Sequence, residues 1–319
     1  MSNGIYAQPI RDTPIAVIDF ETTGLTPDTD RVVEVSVVRV DPGEEPRLVF
    51  DTLVNPQREV AATEIHGITD SQVADAPDFF DIAGELVAHL HGCAIAAYNV
   101  YFDMRFLKYE MEIAGVEHEP PYFCLMYLRP LLRMGSRCSL EEACAENNIP
   151  LTDSHRAADD ALASGLLMKK YLATLQKRNI TTFKDLATHG NYKFLQSFTS
   201  TPYPEPGVLG LNRSEQVVSR KGFVPEKQID PEKQAIREYW DLLKTVLADL
   251  TITDEELKHV LSQRSQLGLP KEKIRVLHAR AFVSIVAQFC RDEWLDDAEV
   301  KKLQRLRHCL AQLGWAPGD

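Results

Sequence analysis

The spacing of apolar residues predicts strands in the first part of the chain. Residues 14–20, 31–40 and 47–54 are rich in Val and Ile and are bounded by turn residues, and residues 93–98 form a short apolar run. Apolar positions that recur every three or four residues predict helices between and after these strands. The predicted helices cover residues 78–91, 102–114, 139–147 and 156–175. Three strands followed by alternating helices and strands indicate a mixed α/β sheet covered by helices.

The last part of the chain has a helical pattern throughout and contains a weak internal repeat. ITDEELKHVL at residues 252–261 aligns with LDDAEVKKLQ at residues 295–304, and each copy begins with a capping-box signature. Each copy also ends in Leu-Gly, at 267–268 and 313–314, which is typical of a helix C-terminus. The predicted division of the chain is a first domain at 1–175, a basic and aromatic segment at 176–230 and an all-helical domain at 231–319.

The net charge of the chain is strongly negative, and the acidic residues are unevenly distributed. The chain of 319 residues has a net charge of −12, and residues 1–175 carry 13 Lys and Arg against 28 Asp and Glu. An acidic surface argues against binding a polyanion directly, because phosphate contacts usually come from Lys and Arg. Bound divalent cations reverse the local sign of an acidic cluster. A polyanionic substrate is therefore compatible with this domain only if metal ions are present.

Cysteine spacing and the N-terminus point to the cytoplasm. The six cysteines form no CxxC pair, which favours reduced core thiols. The N-terminus lacks the basic-then-apolar pattern of a secretory signal, and no apolar run approaches the roughly 20 residues that span a membrane. The expected location is cytoplasmic, with no membrane partner.

The stretch IAVIDFETTGL at residues 15–25 places two acids at the end of an apolar run. Residues two apart in a strand point to the same face, so Asp19 and Glu21 project side by side. Two such carboxylates are suited to hold one Mg²⁺ ion, although acids that merely end a strand can also face solvent. The glycine of the following Thr-Thr-Gly sequence favours a ligand-binding turn, because a backbone without a side chain permits close approach.

Two later segments supply further polar groups. In AYNVYFDMRFL at residues 97–107, Asn99, Phe102 and Asp103 fall at a turn into a helix, where Phe102 is either a core residue or a stacking platform for a base. In SHRAADDALASGLLMKKYL at residues 154–172, His155 precedes a predicted helix and Asp160 follows within it. Small residues in that helix permit close packing against the sheet.

These motifs together resemble the DEDDh exonuclease family. DFETTG, then N-x-x-F-D, then H-x-A-x-x-D occur in this order, and EIHGITD at residues 64–70 resembles a further family segment. The family includes the proofreading epsilon subunit of bacterial replicative polymerases, exonuclease X and RNase T. The resemblance covers residues 13–174, and the tract FCLMYLRPLL at residues 123–132 looks most like the exonuclease X branch.

The resemblance implies a ribonuclease H-like fold, a mixed five-stranded sheet with flanking helices, and hydrolysis from a 3′ end with two divalent cations, Mg²⁺ or Mn²⁺. By matching position, the metal ligands are Asp19, Glu21, Asp103 and Asp160, and His155 takes the proton from the attacking water. The implied substrate-binding residues lie around the Thr-Thr-Gly turn and the second motif. They are Thr22, Thr23, Gly24, His66, Asn99 and Phe102.

The two remaining parts of the chain have less specific interpretations. The helical domain weakly resembles TerB-like modules, and its acidic caps either only begin helices or bind an ion; it is also a possible surface for a protein partner. The segment 176–230 is either a solvated linker or a cover that holds a single strand by stacking and charge.

Three functions follow from this reasoning. The first is a 3′–5′ exonuclease on DNA, which is the favoured nucleic-acid partner. The second is an exoribonuclease, because no side chain indicates whether the 2′-hydroxyl is accepted. The third is a binding or scaffold protein on an inactive nuclease fold, which the presence of all five catalytic residues disfavours.

Overall fold

A five-stranded sheet forms the centre of the first domain. The computed structural model describes residues 5–27, 29–151, 156–190, 193–213, 231–247, 253–289 and 297–316. The strands are β1 (Ile15–Thr22), β2 (Val32–Val40), β3 (Arg47–Leu53), β4 (Ala94–Ala97) and β5 (Tyr122–Cys124). The side chains of residues 15–18 in β1 are fully buried, as expected for a central strand covered on both faces.

The sheet is mixed and has the order β3-β2-β1-β4-β5. Strand β2 runs antiparallel to both β1 and β3, whereas β4 runs parallel to β1 and to β5. This confirms the predicted ribonuclease H-like sheet. The strand predicted at residues 93–98 is β4, and the three strands predicted before it are present within two residues of their expected ends.

Helices connect and cover the strands of the first domain. They are α1 (Thr63–His66), α2 (Asp70–Val73), α3 (Phe79–Leu90), α4 (Val100–Ile113), α5 (Leu125–Leu131), α6 (Leu140–Glu146), α7 (Ala157–Lys177) and α8 (Phe183–His189). Helix α7 packs across β1, β2 and β3. Its Gly165 lies so close to the sheet that an added Cβ would be 2.8 Å from Cγ1 of Val38. The small residues of this helix therefore permit the close packing that the sequence predicted.

The chain continues to pack on this domain beyond the end of α7. Two 3₁₀ helices follow α8, at Lys193–Thr199 and Pro206–Leu209. Phe183 and Phe198 are buried in the same core as the sheet, with their ring centroids 4.1 Å apart. The division at residue 175 stays a prediction, as does the nucleic-acid cover, and residues 214–230 lie outside the described residues.

The C-terminal part contains helices that form a second core. They are α9 (Pro231–Leu247), α10 (Asp254–Leu267), α11 (Lys271–Phe289) and α12 (Asp297–Gln312). This core includes Trp240 and also Leu25, Ala62 and Ile65 of the first domain. Apolar packing therefore joins the helical part to the surface around the Thr-Thr-Gly turn.

The structure describes the first of the two predicted capping boxes and both predicted C-terminal glycines. Thr253 and Glu256 form the predicted capping box, and Gly268 and Gly314 have the positive φ angles of helix C-termini, 63° and 80°. Asp296 of the second copy lies outside the described residues. Within the described part of the chain, no helix is both long and apolar enough to cross a bilayer. The TerB-like resemblance stays a prediction.

Candidate active site

Strand β1 brings the first two acids of the site together. Asp19 and Glu21 lie two residues apart on β1 and face Ser36 and Glu34 of β2 in the ladder. Carboxylate oxygens of Asp19, Glu21 and Asp160 all lie within 4.8 Å of one another. Alternation along one strand and the start of α7 therefore create the acidic cluster that the sequence predicted.

Helix α4 supplies the fourth acid. Asp103 is 4% exposed, and its Oδ1 accepts a hydrogen bond of 3.1 Å from the backbone N–H of Phe20. Asp103 lines the same cavity as Asp19, Glu21 and Asp160. A backbone donor between the two acids of β1 thus fixes the carboxylate of α4 against the strand.

A buried glutamate positions the helix that carries Asp160. Glu34 is 2% exposed, and its Oε2 accepts a hydrogen bond of 3.0 Å from the backbone N–H of Ala157. This bond satisfies one of the N–H groups that a helix N-terminus leaves without an intrahelical acceptor. Burial raises the pKa of Glu34 to about 7. Sequence reasoning assigned no role to Glu34, although an acid within the apolar run VVEVSVVRV is a signal, because acids are rarely buried without a partner.

Burial and mutual repulsion raise the pKa values of the acids. The pKa of Asp19 is raised well above its ordinary value by burial and by the charges of Asp160, Asp103 and Glu21. Burial also raises the pKa of Glu21 well above its ordinary value, against the lowering effect of Lys244, and raises that of Asp103 to about 7. Burial and neighbouring negative charges destabilise the ionised form of a carboxylate, and a nearby positive charge offsets that destabilisation.

A lysine from the helical part lies beside the acids. Lys244 of α9 forms an ion pair of 2.7 Å with Asp241 one turn earlier, and its Nζ lies 5.3 Å from the ring centroid of Phe102. The carboxylates of Asp241, Glu21 and Asp19 raise the pKa of Lys244 despite its burial. Sequence reasoning missed Lys244 and Asp241, because no local pattern shows on which surface α9 docks.

The donor set fits divalent cations. Hard cations such as Mg²⁺ prefer carboxylate oxygens, and the cluster of Asp19, Glu21 and Asp160 brings three carboxylates together. Asp103 lines the same cavity and adds a fourth carboxylate to this donor set. Within the described residues, Oδ1 of Asn99 is buried without a hydrogen-bond partner at the edge of this cavity.

The predicted substrate residues separate into different locations. Asn99 and Phe102 line the acidic cavity. Thr23 and Gly24 line a different groove of about 400 Å³, together with Trp240 of α9. Thr22 and His66 are buried and hold local structure. Their hydrogen bonds join Thr22 Oγ1 to the Gly24 carbonyl and the Ile68 N–H to His66 Nδ1.

The remaining predicted catalytic residue, His155, lies outside the described residues. Its role as the general base therefore stays a prediction. The described helix α7 begins two residues later, at Ala157.

Comparisons with known proteins agree with the geometry. A family model described as an exonuclease matches residues 16–168. The PolC-type DNA polymerase III of Thermotoga petrophila is 29% identical over 320 residues, covering 87% of this chain and 22% of that protein. The epsilon-like DNA polymerase III subunit of Rhodobacter capsulatus is 30% identical over 187 residues, covering 56% of this chain and 27% of that protein.

A third relative and a solved structure are also similar to this chain. The 3′-5′ exonuclease DinG of Staphylococcus epidermidis is 24% identical over 254 residues, covering 75% of this chain and 27% of that protein. The crystal structure of E. coli exonuclease I with a dT13 oligonucleotide has a TM-score of 0.46 and 20% identity, covering 58% of this chain and 46% of that chain. The chain spans about a quarter of the length of these curated relatives. The match to the exonuclease model spans Asp19, Glu21, Asp103 and Asp160, which agrees with the exonuclease domain that the motifs predicted.

Proposed function

We propose that this protein is a metal-dependent 3′–5′ exonuclease that removes nucleoside monophosphates from the 3′ end of DNA. The observation that carries the proposal is the convergence of Asp19, Glu21 and Asp160 from separate parts of the chain, with ligand atoms within 4.8 Å. Two acids that merely end a strand do not require a third carboxylate from a distant segment beside them. A cation site requires several carboxylates close together. The names of the curated relatives, which include DNA polymerases and a 3′-5′ exonuclease, favour DNA.

The roles of the residues follow from their positions and from the motifs. Asp19 interacts electrostatically with each of the other three acids and would be shared by two cations, with Glu21 and Asp160 as further ligands of one and Asp103 as support for the other. Two divalent cations, when bound, supply the positive charge that an in-line phosphodiester displacement needs. His155 is proposed to accept the proton of the attacking water.

The substrate end is proposed to enter between the domains. Phe102 lies at the edge of the acidic cavity with part of its ring accessible, which places an aromatic face beside the acids. Bases stack on such faces without strong sequence preference. Thr23 and Gly24 are proposed to contact the terminal nucleotide from the neighbouring groove.

The test is a degradation assay on 5′-labelled single-stranded DNA, duplex DNA and RNA of the same sequence, in Mg²⁺, in Mn²⁺ and in chelator. The expected result is stepwise shortening from the 3′ end of DNA that requires a divalent cation and is lost in Asp19→Ala. Faster shortening of RNA supports the exoribonuclease instead. Shortening that persists in Asp19→Ala contradicts the assignment of the metal site.

A further inference from the structure

Helix α9 forms part of the wall of the acidic cavity. Asp241, Lys244 and Thr245 of α9 line this cavity together with the acids of the exonuclease domain. The backbone carbonyl of Lys244 also accepts a hydrogen bond of 3.4 Å from Nδ2 of Asn99. One wall of the candidate active site is therefore built by the C-terminal part of the chain.

The side chain of Lys244 places a positive charge where the site attracts cations. Its ammonium group interacts electrostatically with the carboxylates of Asp19 and Glu21. It therefore offsets negative charge that a bound metal ion would otherwise neutralise. The ion pair with Asp241 and the contact with the Phe102 ring hold this ammonium group in place. Cation and aromatic ring attract each other at such distances.

The space that borders all four acids is too small for a nucleotide, and the neighbouring cavity of about 270 Å³ borders only Asp160 among them. The cavity between the acids and α9 has a volume of about 60 Å³. Pockets for small organic ligands have volumes of roughly 300–1,000 Å³. A water molecule needs about 10–15 Å³ on the same scale, so the cavity admits ions and a few waters. The aromatic face of Phe102, which is proposed to receive a base, is partly covered by Lys244.

The interface that holds α9 in this position extends well beyond the cavity. Arg137 of the exonuclease domain pairs with Glu256 of α10 at 2.6 Å, and both side chains are about nine-tenths buried. His259 of α10 lies 3.0 Å from Glu142 of α6. The apolar contact of Leu25, Ala62 and Ile65 with the helical core completes the interface. Such matched contacts indicate a specific docked arrangement rather than a loose tether.

We infer that the C-terminal helices hold the exonuclease in a closed, autoinhibited form, with Lys244 neutralising the acids and α9 excluding the 3′ end. This inference rests on the proposed nuclease function. It requires that the helical part move away from the cavity before substrate and metal ions occupy the site fully. A protein whose competent state is rarely populated has its apparent affinity reduced by that population.

The experiment weakens docking at a contact whose two residues, Arg137 and Glu256, do not line the acidic cavity. Arg137→Glu in the full chain sets two negative charges against each other at a buried contact with Glu256. The expected result is a fall of about tenfold or more in KM for single-stranded DNA with little change in kcat, since opening precedes binding. The control is Arg133→Glu, which makes the same charge change at an exposed position on the exonuclease domain. The double variant Arg137→Glu with Glu256→Arg should restore the wild-type KM.

A second measurement does not depend on turnover. Lys244→Gln removes the competing positive charge, so the dissociation constant for Mn²⁺, measured by electron paramagnetic resonance without nucleic acid, should fall about tenfold. The affinity of a phosphorothioate oligonucleotide should rise in Arg137→Glu by the same factor as KM falls. Circular dichroism of every variant checks that the chain remains folded.

The outcomes separate the inference from the proposed function. If wild type degrades DNA, Arg137→Glu has the same KM and oligonucleotide affinity, and Lys244→Gln has the same Mn²⁺ affinity, the closed form is refuted and the nuclease function stands. If neither wild type nor Arg137→Glu degrades any nucleic acid, both proposals fail. A lower activity of Arg137→Glu with intact folding also overturns the inference, because docking then assists the reaction.

Discussion

Replacing Asp103 by asparagine tests the electrostatic description of the acidic cavity. Asn Oδ1 can keep the hydrogen bond of 3.1 Å that Asp103 accepts from the Phe20 N–H. The substitution therefore removes a buried charge with little change in shape. Burial raises the pKa of Asp103 from 3.8 to about 7, and Lys244 only partly offsets that effect.

The magnitude and sign follow from this pKa difference. An acid whose pKa is raised on folding stabilises the folded chain below its unfolded pKa, and that stabilisation is lost as the pH rises through the folded value. The stabilisation from Asp103 is therefore lost between pH 3.8 and about pH 7. One pKa unit corresponds to about 1.4 kcal/mol, so this pKa difference corresponds to about 2–4 kcal/mol, because Asp103 interacts with Asp19 and the two acids share the effect.

The assay is urea unfolding in chelator at several pH values, followed by circular dichroism. Without metal ions, the free energy of unfolding of Asp103→Asn should equal that of wild type near pH 4 and should be larger by about 2 kcal/mol at pH 8. In Mn²⁺ the order should reverse, because the variant loses a ligand for the cation. Glu117→Gln, at an exposed acid outside the helices and strands, is the control and should show neither effect. A stability difference that stays constant between pH 4 and pH 8 refutes the reasoning.

Three further substitutions test the scaffold by urea unfolding in chelator. Gly165→Ala should lower stability by about 1–3 kcal/mol, because its Cβ would lie 2.8 Å from the side chain of Val38; unchanged stability would contradict this close packing. Arg31→Met should lower stability by about 3–5 kcal/mol, since it leaves the buried carboxylate of Glu110 without its partner at 2.7 Å; adding Glu110→Gln should recover most of that loss. Thr253→Ala should cost about 1 kcal/mol by removing the N-cap of α10, whereas Thr253→Ser should cost little.

The sequence was sufficient to predict the sheet because its strands are apolar, β-branched and bounded by turns. Strand β2 reads VVEVSVVRV and was expected within one residue of its observed start. Strand β5 has only three residues, Tyr122–Cys124, and such a short run shows no periodicity. The sequence predicted five strands through the family resemblance rather than through this segment.

The acidic cluster was predictable for a different reason than its surroundings. Asp19 and Glu21 are adjacent on one strand, so alternation alone places them together. The addition of Asp103 and Asp160 needed the family motifs, since contacts between distant segments have no local signal. Neither the local pattern nor the family motifs could place Lys244 at the site. Its helix was predicted from apolar spacing, but the surface that an amphipathic helix covers depends on tertiary packing.

The placement of Lys244 links metal binding to domain position. The cluster is held by anchors that do not require a cation, namely the β1 ladder and the N–H groups of Phe20 and Ala157. Its carboxylates therefore stay close together whatever neutralises them, and either the ammonium group or a divalent ion can do so. Coupling between two binding events is reciprocal, so a docked Lys244 that weakens Mn²⁺ binding by a given factor is itself displaced by Mn²⁺ by the same factor. Under the proposed closed form, divalent cations would therefore both take part in the proposed reaction and favour release of α9.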